Sequence, residues 1–455
     1  MKKIVISLIA LFLFAGPGCN YIDTDLNIDP SNPSDAPPNL LLPAAELQVA
    51  YILGGDYGRF CSVWTQHHAG IDRQQAGFDK YLIGESDLDN AWNSMYASAM
   101  QTLNDIVSKT SAESPYYSGT ARVLMAYCLG NTTDMFGDVP FSEAFNGSDG
   151  NFTPKYDSQE QVYAAIIGLL DQAVTDLSAA SSALKPAGDD LIYGGSTASW
   201  IKAANALKAR YELHKSARNG ASAFSAALAA IDAGAMEANG DDMEFAFTGG
   251  AQANPWYQFL TQRQGDLAMG GFFIDLLKNN NDPRLPVLAT TNDAGEYVGS
   301  YAGQALSASE TSDPTAALTG DTAPVLFMTY AETKFIEAEA ALQTGNTARA
   351  QTAFEAAVTA NLAKLGVDDP DFVAAATADL SLNNILTQKY IALYTNPESY
   401  VDFRRTGIPN LPVAIGAAGP NIPVRFPYAQ SEEQLNSANV PSINIFSDKV
   451  WWDAN

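Results

Sequence analysis

YAETKFIEAEAALQTGNTARAQTAFEAAVTANLAKL, residues 330–365, is the stretch whose reading decides the fold. Gly345 and Asn346 divide it into two helical halves, 330–343 and 347–365, and the second carries Ala350, Phe354 and Ala357 on one face. Two helices joined by so short a turn read as one helical hairpin of a repeat array. Working outward, Trp92, Tyr96, Ala99, Leu103 and Ile106 fall at helical spacing. Val162, Ile166, Leu169, Leu170, Ala173 and Leu177 do the same, with Asp157 or Ser158 placed to cap that helix and Glu160 in its first turn. Amphipathic stretches at 119–135, 197–217, 221–238 and 382–394 extend the pattern, so the body is mostly α. Between the helices lie segments rich in Gly, Asn, Pro and aromatics, at 69–87, 138–156, 241–272, 279–323 and 396–455, which read as long irregular loop insertions.

Composition narrows the function. The 455 residues hold 25 Lys and Arg against 51 Asp and Glu, a formal net charge of −26. Nucleic acid is excluded as a partner, because binding a phosphate backbone needs basic patches that this chain can hardly assemble. The apolar share of 47 % supports a large core. At the N-terminus Lys2 and Lys3 precede an apolar run from Ile4 to Phe14 and then Ala15, Gly16, Pro17, Gly18 and Cys19. The run is too short to span a bilayer and reads as a secretory signal over 1–18. Its end resembles a bacterial lipobox in which Cys19 is lipidated, although Gly16 stands where a bulky aliphatic is usual. Removal of the signal takes Lys2 and Lys3 and no acid, so the body beyond it is more acidic still. Residues 19–38, with Pro30, Pro33, Pro37 and Pro38, read as a stiff tether, leaving 39–455 as a single domain. Cys61 and Cys128 lie in apolar helical patterns, and either a disulfide or two buried thiols fits them.

The Ala350, Phe354, Ala357 spacing resembles the second helix of a tetratricopeptide repeat, and Ala338 fits the small-residue position of the first. Eight strings then occur in order: NIDPSNPSDAPPNLLLPAAE (27–46), RQQAGFDKY (73–81), TDMFGDVPFSEAF (133–145), PKYDSQEQVY (154–163), WIKAANALKAR (200–210), DPRLP (282–286), FRRTGIPNLP (403–412) and RFPYAQSEEQLN (425–436). Together with the lipobox-like Cys19 they resemble the SusD/RagB outer-membrane lipoproteins, most closely the SusD-like branch. The resemblance implies a TPR-like helical superhelix and a surface-exposed lipoprotein of Bacteroidetes type, anchored to the outer membrane through lipid. It further implies a non-catalytic receptor that captures an oligosaccharide, or in RagB-type members a peptide, and delivers it to a SusC-type TonB-dependent transporter.

Sugars present apolar C–H faces ringed by hydroxyls, so a receptor needs aromatic platforms flanked by Arg, amides and acids. Two segments supply that mixture. The first runs over 64–81, with Trp64, Gln66, Arg73 and Tyr81; the second over 254–264, with Trp256, Tyr257 and Arg263. Tyr297 and Tyr301 form a weaker third cluster, while Trp92 and Trp200, on regular helical stripes, read as core. Arg284, Arg404 and Arg405 read as structural partners of carbonyls and carboxylates. An enzyme is the rival class. Neighbouring acids such as Asp241 with Asp242 read as a solvated face, and His67, His68 and His214 show no metal-ligand spacing. No nucleophile elbow or phosphate loop is present, so no catalytic residue, metal or cofactor is expected.

Overall fold

The computed structural model describes residues 36–454. The signal, Cys19 and residues up to 35 of the tether lie outside the described residues. From Pro38 the chain runs through α1 (Pro38–Ile52), a π-helical turn at Leu53–Tyr57, α2 (Gly58–Trp64), β1 (His68–Gly70) and α3 (Arg73–Phe78). A second π-helical turn at Ser94–Met100 leads into α4 (Gln101–Thr110), followed by α5 (Pro115–Phe136), α6 (Gln159–Leu177), α7 (Thr197–His214) and α8 (Ala221–Asp232). Next come β2 (Met243–Phe245), α9 (Pro255–Gln262), β3 (Leu267–Met269), α10 (Gly271–Asn279) and β4 (Val325–Met328). The chain continues through α11 (Tyr330–Gln343), α12 (Thr347–Lys364), α13 (Pro370–Thr377), α14 (Leu382–Ala392) and α15 (Glu398–Thr406).

Each long helix packs on the next, α4 on α5, α5 on α6, α6 on α7 and α7 on α8; α8 then packs on α11, and α11 on α12. The 330–365 hairpin is therefore one unit of a helical array, as its spacing predicts. Small residues set how closely the helices approach. A Cβ added to Gly119 would lie 2.6 Å from Leu177 of α6, and one at Gly130 would lie 2.1 Å from the Tyr211 hydroxyl of α7. Bare backbone at these two points lets α5 sit in the middle of the array, where nearly all its residues from Tyr117 onward are buried. Of the two candidate caps, Ser158 caps α6 in a capping box with Gln161. Asp157 instead accepts from the backbone N–H groups of Phe141 and Ser142 at 2.9 and 2.7 Å, fastening the GDVPF turn.

The segments expected to be irregular hold more structure than their composition suggests, because side chains cap short helices inside them. Asn254 accepts the Trp256 N–H at 2.7 Å and Pro255 sits in the first turn, which starts α9. Asp72 accepts the Arg73 N–H to start α3. Glu398 opens α15, and Arg404 and Arg405 close it ahead of a left-handed Gly407. Two short antiparallel pairs join distant parts of the chain: β1 with β3, His68 opposite Met269 and Gly70 opposite Leu267, and β2 with β4.

The three arginines read as structural are all buried. Arg284 forks onto Asp282 and also reaches Asn361 and Gln388. Arg405 forks onto Glu339 and pairs with Asp402. Arg404 donates to the Asp134 and Val424 carbonyls from between the Tyr400 and Trp452 rings. Cys61 and Cys128 are buried free thiols, and burial pushes both well above the usual thiol range.

Candidate functional site

The structure joins the two segments that sequence composition singles out. Pairing of β1 with β3 lays residues 68–70 beside 267–269, and the Ile71 N–H donates to the Asp266 carbonyl at 2.9 Å. Asp266 is fully buried and receives two guanidinium groups: Arg73 through Nε, and Arg263 through Nε at 2.8 Å. Arg73 also donates to the Gln264 carbonyl at 2.9 Å. Two cations on one carboxylate leave donors over, and the side chains of Arg73 and Arg263 remain 48 % and 40 % exposed.

Four of the expected contact residues are buried in the structure. Trp64 is buried with its indole N–H on the Phe78 carbonyl at 3.1 Å and its ring edge-on to Tyr400 and Phe426. Gln66 is buried and donates to the Pro412 carbonyl at 2.6 Å. Tyr81 is buried, its hydroxyl accepting the Ala414 N–H at 2.9 Å, and burial pushes it up to about 12. Trp256 is buried and stacks on His68 at 4.8 Å. The three rings gain by leaving water and Gln66 is held by its bond to Pro412, and all four side chains are at most 2 % exposed. Trp92 and Trp200 are core, as their stripes predict. Tyr301 is half exposed and bonds Asp275 through its hydroxyl.

Tyr257, next in sequence to Trp256, turns outward and is 40 % exposed. It stands on α9, and a cleft opens on each flank of that helix. The first, about 340 Å³, is lined by Tyr257, Leu260, Thr261, Gln264, Asp313 and Thr315. Burial raises the Asp313 carboxyl above its ordinary value. The second, about 300 Å³, is lined by Tyr51, Asp56, Arg59, Asn90, Gln258 and Gln262. Arg59 stacks on Phe259 at 4.5 Å and pairs with Asp56. Burial pulls Arg59 below the usual guanidinium range, and the neighbouring Arg263 adds to this against the pull of Asp56. Gln258 donates to Tyr51 Oη at 3.0 Å, so the amide is already oriented.

Sequence reasoning missed this second cleft. Its walls come from the end of α1, the turn after it and residues 90–94, far apart in sequence from α9. One signal was there: Gly54 and Gly55 inside a helical stretch. Gly54 leaves only 2.5 Å to a Val325 methyl for any Cβ, and the π-helical turn they permit carries Asp56. Such turns recur at functional sites. A larger cleft, about 590 Å³, lies between α12 and α13. Its lining of Glu355, Leu362, Val367, Asp369 and Val373 includes no aromatic or amide side chain among the described residues, so it lacks a sugar platform.

Asp134, His214 and Glu398 form a buried cluster that could hold a metal ion by proximity. The imidazole faces the two acids from opposite edges, Nε2 on Glu398 at 2.7 Å and Nδ1 on Tyr163 Oη at 2.9 Å, near Asp134. Both ring nitrogens are thus engaged in hydrogen bonds, an arrangement suited to tying helices together.

Comparisons with known proteins agree with this architecture. A family model described as SusD-like, starch-binding and associating with the outer membrane, matches residues 30–429. A chitin-binding protein is 26 % identical, with a TM-score of 0.79 over 91 % of this chain and 100 % of its own. A SusD/RagB family protein from Bacteroides thetaiotaomicron is 24 % identical, with a TM-score of 0.80 over 92 % and 99 %. A chitin-binding SusD homolog from Flavobacterium johnsoniae is 24 % identical, with a TM-score of 0.78 over 90 % and 98 %. No curated protein matches the chain. With a family match running through nearly all the described helices and a shared helical fold, the chain belongs to the SusD-like family.

Proposed function

We propose that this protein is a non-catalytic, lipid-anchored receptor on the outer surface of the cell that binds an oligosaccharide around α9 and delivers it to a SusC-type TonB-dependent transporter. The observation that carries the reading is the exposed Tyr257 ring, which lines one of two clefts flanking α9, the pair being walled by amides, hydroxyls, acids and arginine. A sugar stacks its C–H face on the ring and exchanges water for polar partners at its rim. Arg263, at the end of α9, and Arg73, paired with it on Asp266, keep donors to spare. The chitin-binding relatives support a glycan as ligand, and chitin oligomers are the first we would try. Cys19 supplies the anchor.

Calorimetry with the body from Asn20 onward, against glycan and peptide panels, tests the proposal. We expect saturable binding to one glycan class, weakened about tenfold by Tyr257→Ala, in keeping with the worth of one stacked aromatic. Binding to peptides alone would overturn the glycan reading. Unchanged affinity in Tyr257→Ala, Gln258→Ala and Arg59→Ala alike would remove the site from α9, and release of reducing ends on long incubation would reassign the protein as a hydrolase.

A further inference from the structure

Three backbone segments converge beside the early loop to form an exposed apolar surface. The Ala414 N–H donates to Tyr81 Oη at 2.9 Å, and the Ala418 N–H to the Lys80 carbonyl at 2.9 Å. The Ile415 N–H donates to the Ala302 carbonyl at 2.8 Å, and Gly303 lies against the Ile415 backbone so closely that no Cβ would fit. From this stitched platform project Leu82, 60 % exposed, Ile415, 62 %, Val413, 45 %, and Tyr301, 42 %.

The same segments carry no charge. No Asp, Glu, Lys or Arg occurs from Gly407 to Val424, from Tyr297 to Ser309 or from Tyr81 to Gly84. In a chain with a net charge of −26 this is a local departure, and it falls where the large apolar side chains are left in water. Several large apolar side chains left exposed on backbone-bonded segments mark an interaction site. A second copy of the chain is a poor occupant, since it would bring one strongly acidic body against another, and an anionic membrane surface is repelled in the same way. What fits is an uncharged apolar face on a different protein. The platform also adjoins the proposed ligand face: α3, which starts at Arg73, leads directly into the turn carrying Tyr81 and Leu82.

We propose that Leu82, Tyr301, Val413 and Ile415 form the docking surface for the transporter. This rests on the delivery role proposed above, and it places the partner beside the ligand face, as a handover requires.

The test uses the full lipoprotein in its own outer membrane, solubilised and recovered by antibody, with TonB-dependent barrels quantified by mass spectrometry. Leu82→Glu and Ile415→Glu are each expected to lower barrel recovery at least about tenfold, since a buried unpaired carboxylate is strongly unfavourable in an apolar contact. Val413→Glu serves as a third probe if either variant folds poorly. Phe152→Glu, at a 77 % exposed residue outside these three segments, should leave recovery unchanged. All the variants should bind glycan as the wild type does. Full barrel recovery in the three patch variants would overturn the docking surface while leaving the delivery role standing. Absence of any barrel with the wild type would overturn the delivery role itself. Dimerisation of the purified protein that Leu82→Glu abolishes would reassign the patch to self-association.

Discussion

Trp256 and Tyr257 are adjacent aromatics with opposite fates, and their substitutions should separate stability from binding. Trp256 is buried against His68, so Trp256→Ala should cost about 3–5 kcal/mol of stability in urea melts. Tyr257→Ala should cost no more than about 0.5 kcal/mol there and act on ligand affinity instead. Asp79 gives a pH-dependent case. Burial raises its carboxyl to about 7, although Oδ2 accepts the Gly303 N–H; Oδ1 has no partner. An acid whose folded pKa exceeds its unfolded one binds more protons when folded, so stability falls as pH rises between the two values, from about 4 to 7. Asp79→Asn should remove that slope, gaining up to about 4 kcal/mol over wild type at pH 8 and little at pH 4. Thermal melts across that range would show parallel curves if Asp79 did not contribute. At this scale the sequence was least legible: residue type marked 64–81 and 254–264 as polar and aromatic, but which neighbour faces water depends on where each helix is capped.

The helices themselves were readable because stripes at a spacing of three and four survive any tertiary arrangement. Tyr330–Gln343 begins and ends where the pattern does, and α12 differs from its reading by one residue. The π-helical turn at Leu53–Tyr57 and α9 were not readable, since one depends on a glycine contact with Val325 and the other on a single Asn cap. Two element-scale changes test the packing argument. Gly130→Ala drives a methyl into the buried Tyr211 ring and should destabilise by about 1–3 kcal/mol, whereas Gly168→Ala, with open space around it on α6, should be neutral or slightly stabilising. Equal urea midpoints for the two would disprove the close-approach account. Ser158→Ala removes the α6 cap and should cost about 1 kcal/mol by the same measurement.

Across the whole molecule, buried ion pairs connect the array to the segments beyond it. Arg210 forks onto Glu332 between α7 and α11, Arg405 onto Glu339 between α15 and α11, and Lys389 of α14 pairs with Asp402 of α15 at 2.6 Å. Burial alone would raise the Asp402 carboxyl, but Lys389 and Arg405 outweigh it and hold it well below the usual range. A depressed folded pKa adds stability above the unfolded value near 4, which is lost as pH falls through the folded value. Asp402→Asn should therefore destabilise by about 3 kcal/mol at pH 7, with the difference shrinking below pH 4 in acid titrations followed by circular dichroism. No local pattern foretold these pairs, because each joins residues from separate helices; only the reading of Arg404 and Arg405 as structural anticipated them. The same holds for the C-terminal segment. Trp452 is fully buried, its indole N–H on Asp134 at 2.9 Å beneath the Arg404 guanidinium. A ribosome makes Asp134 long before Trp452, so this part of the core stays open until the segment that carries Trp452 has been synthesised.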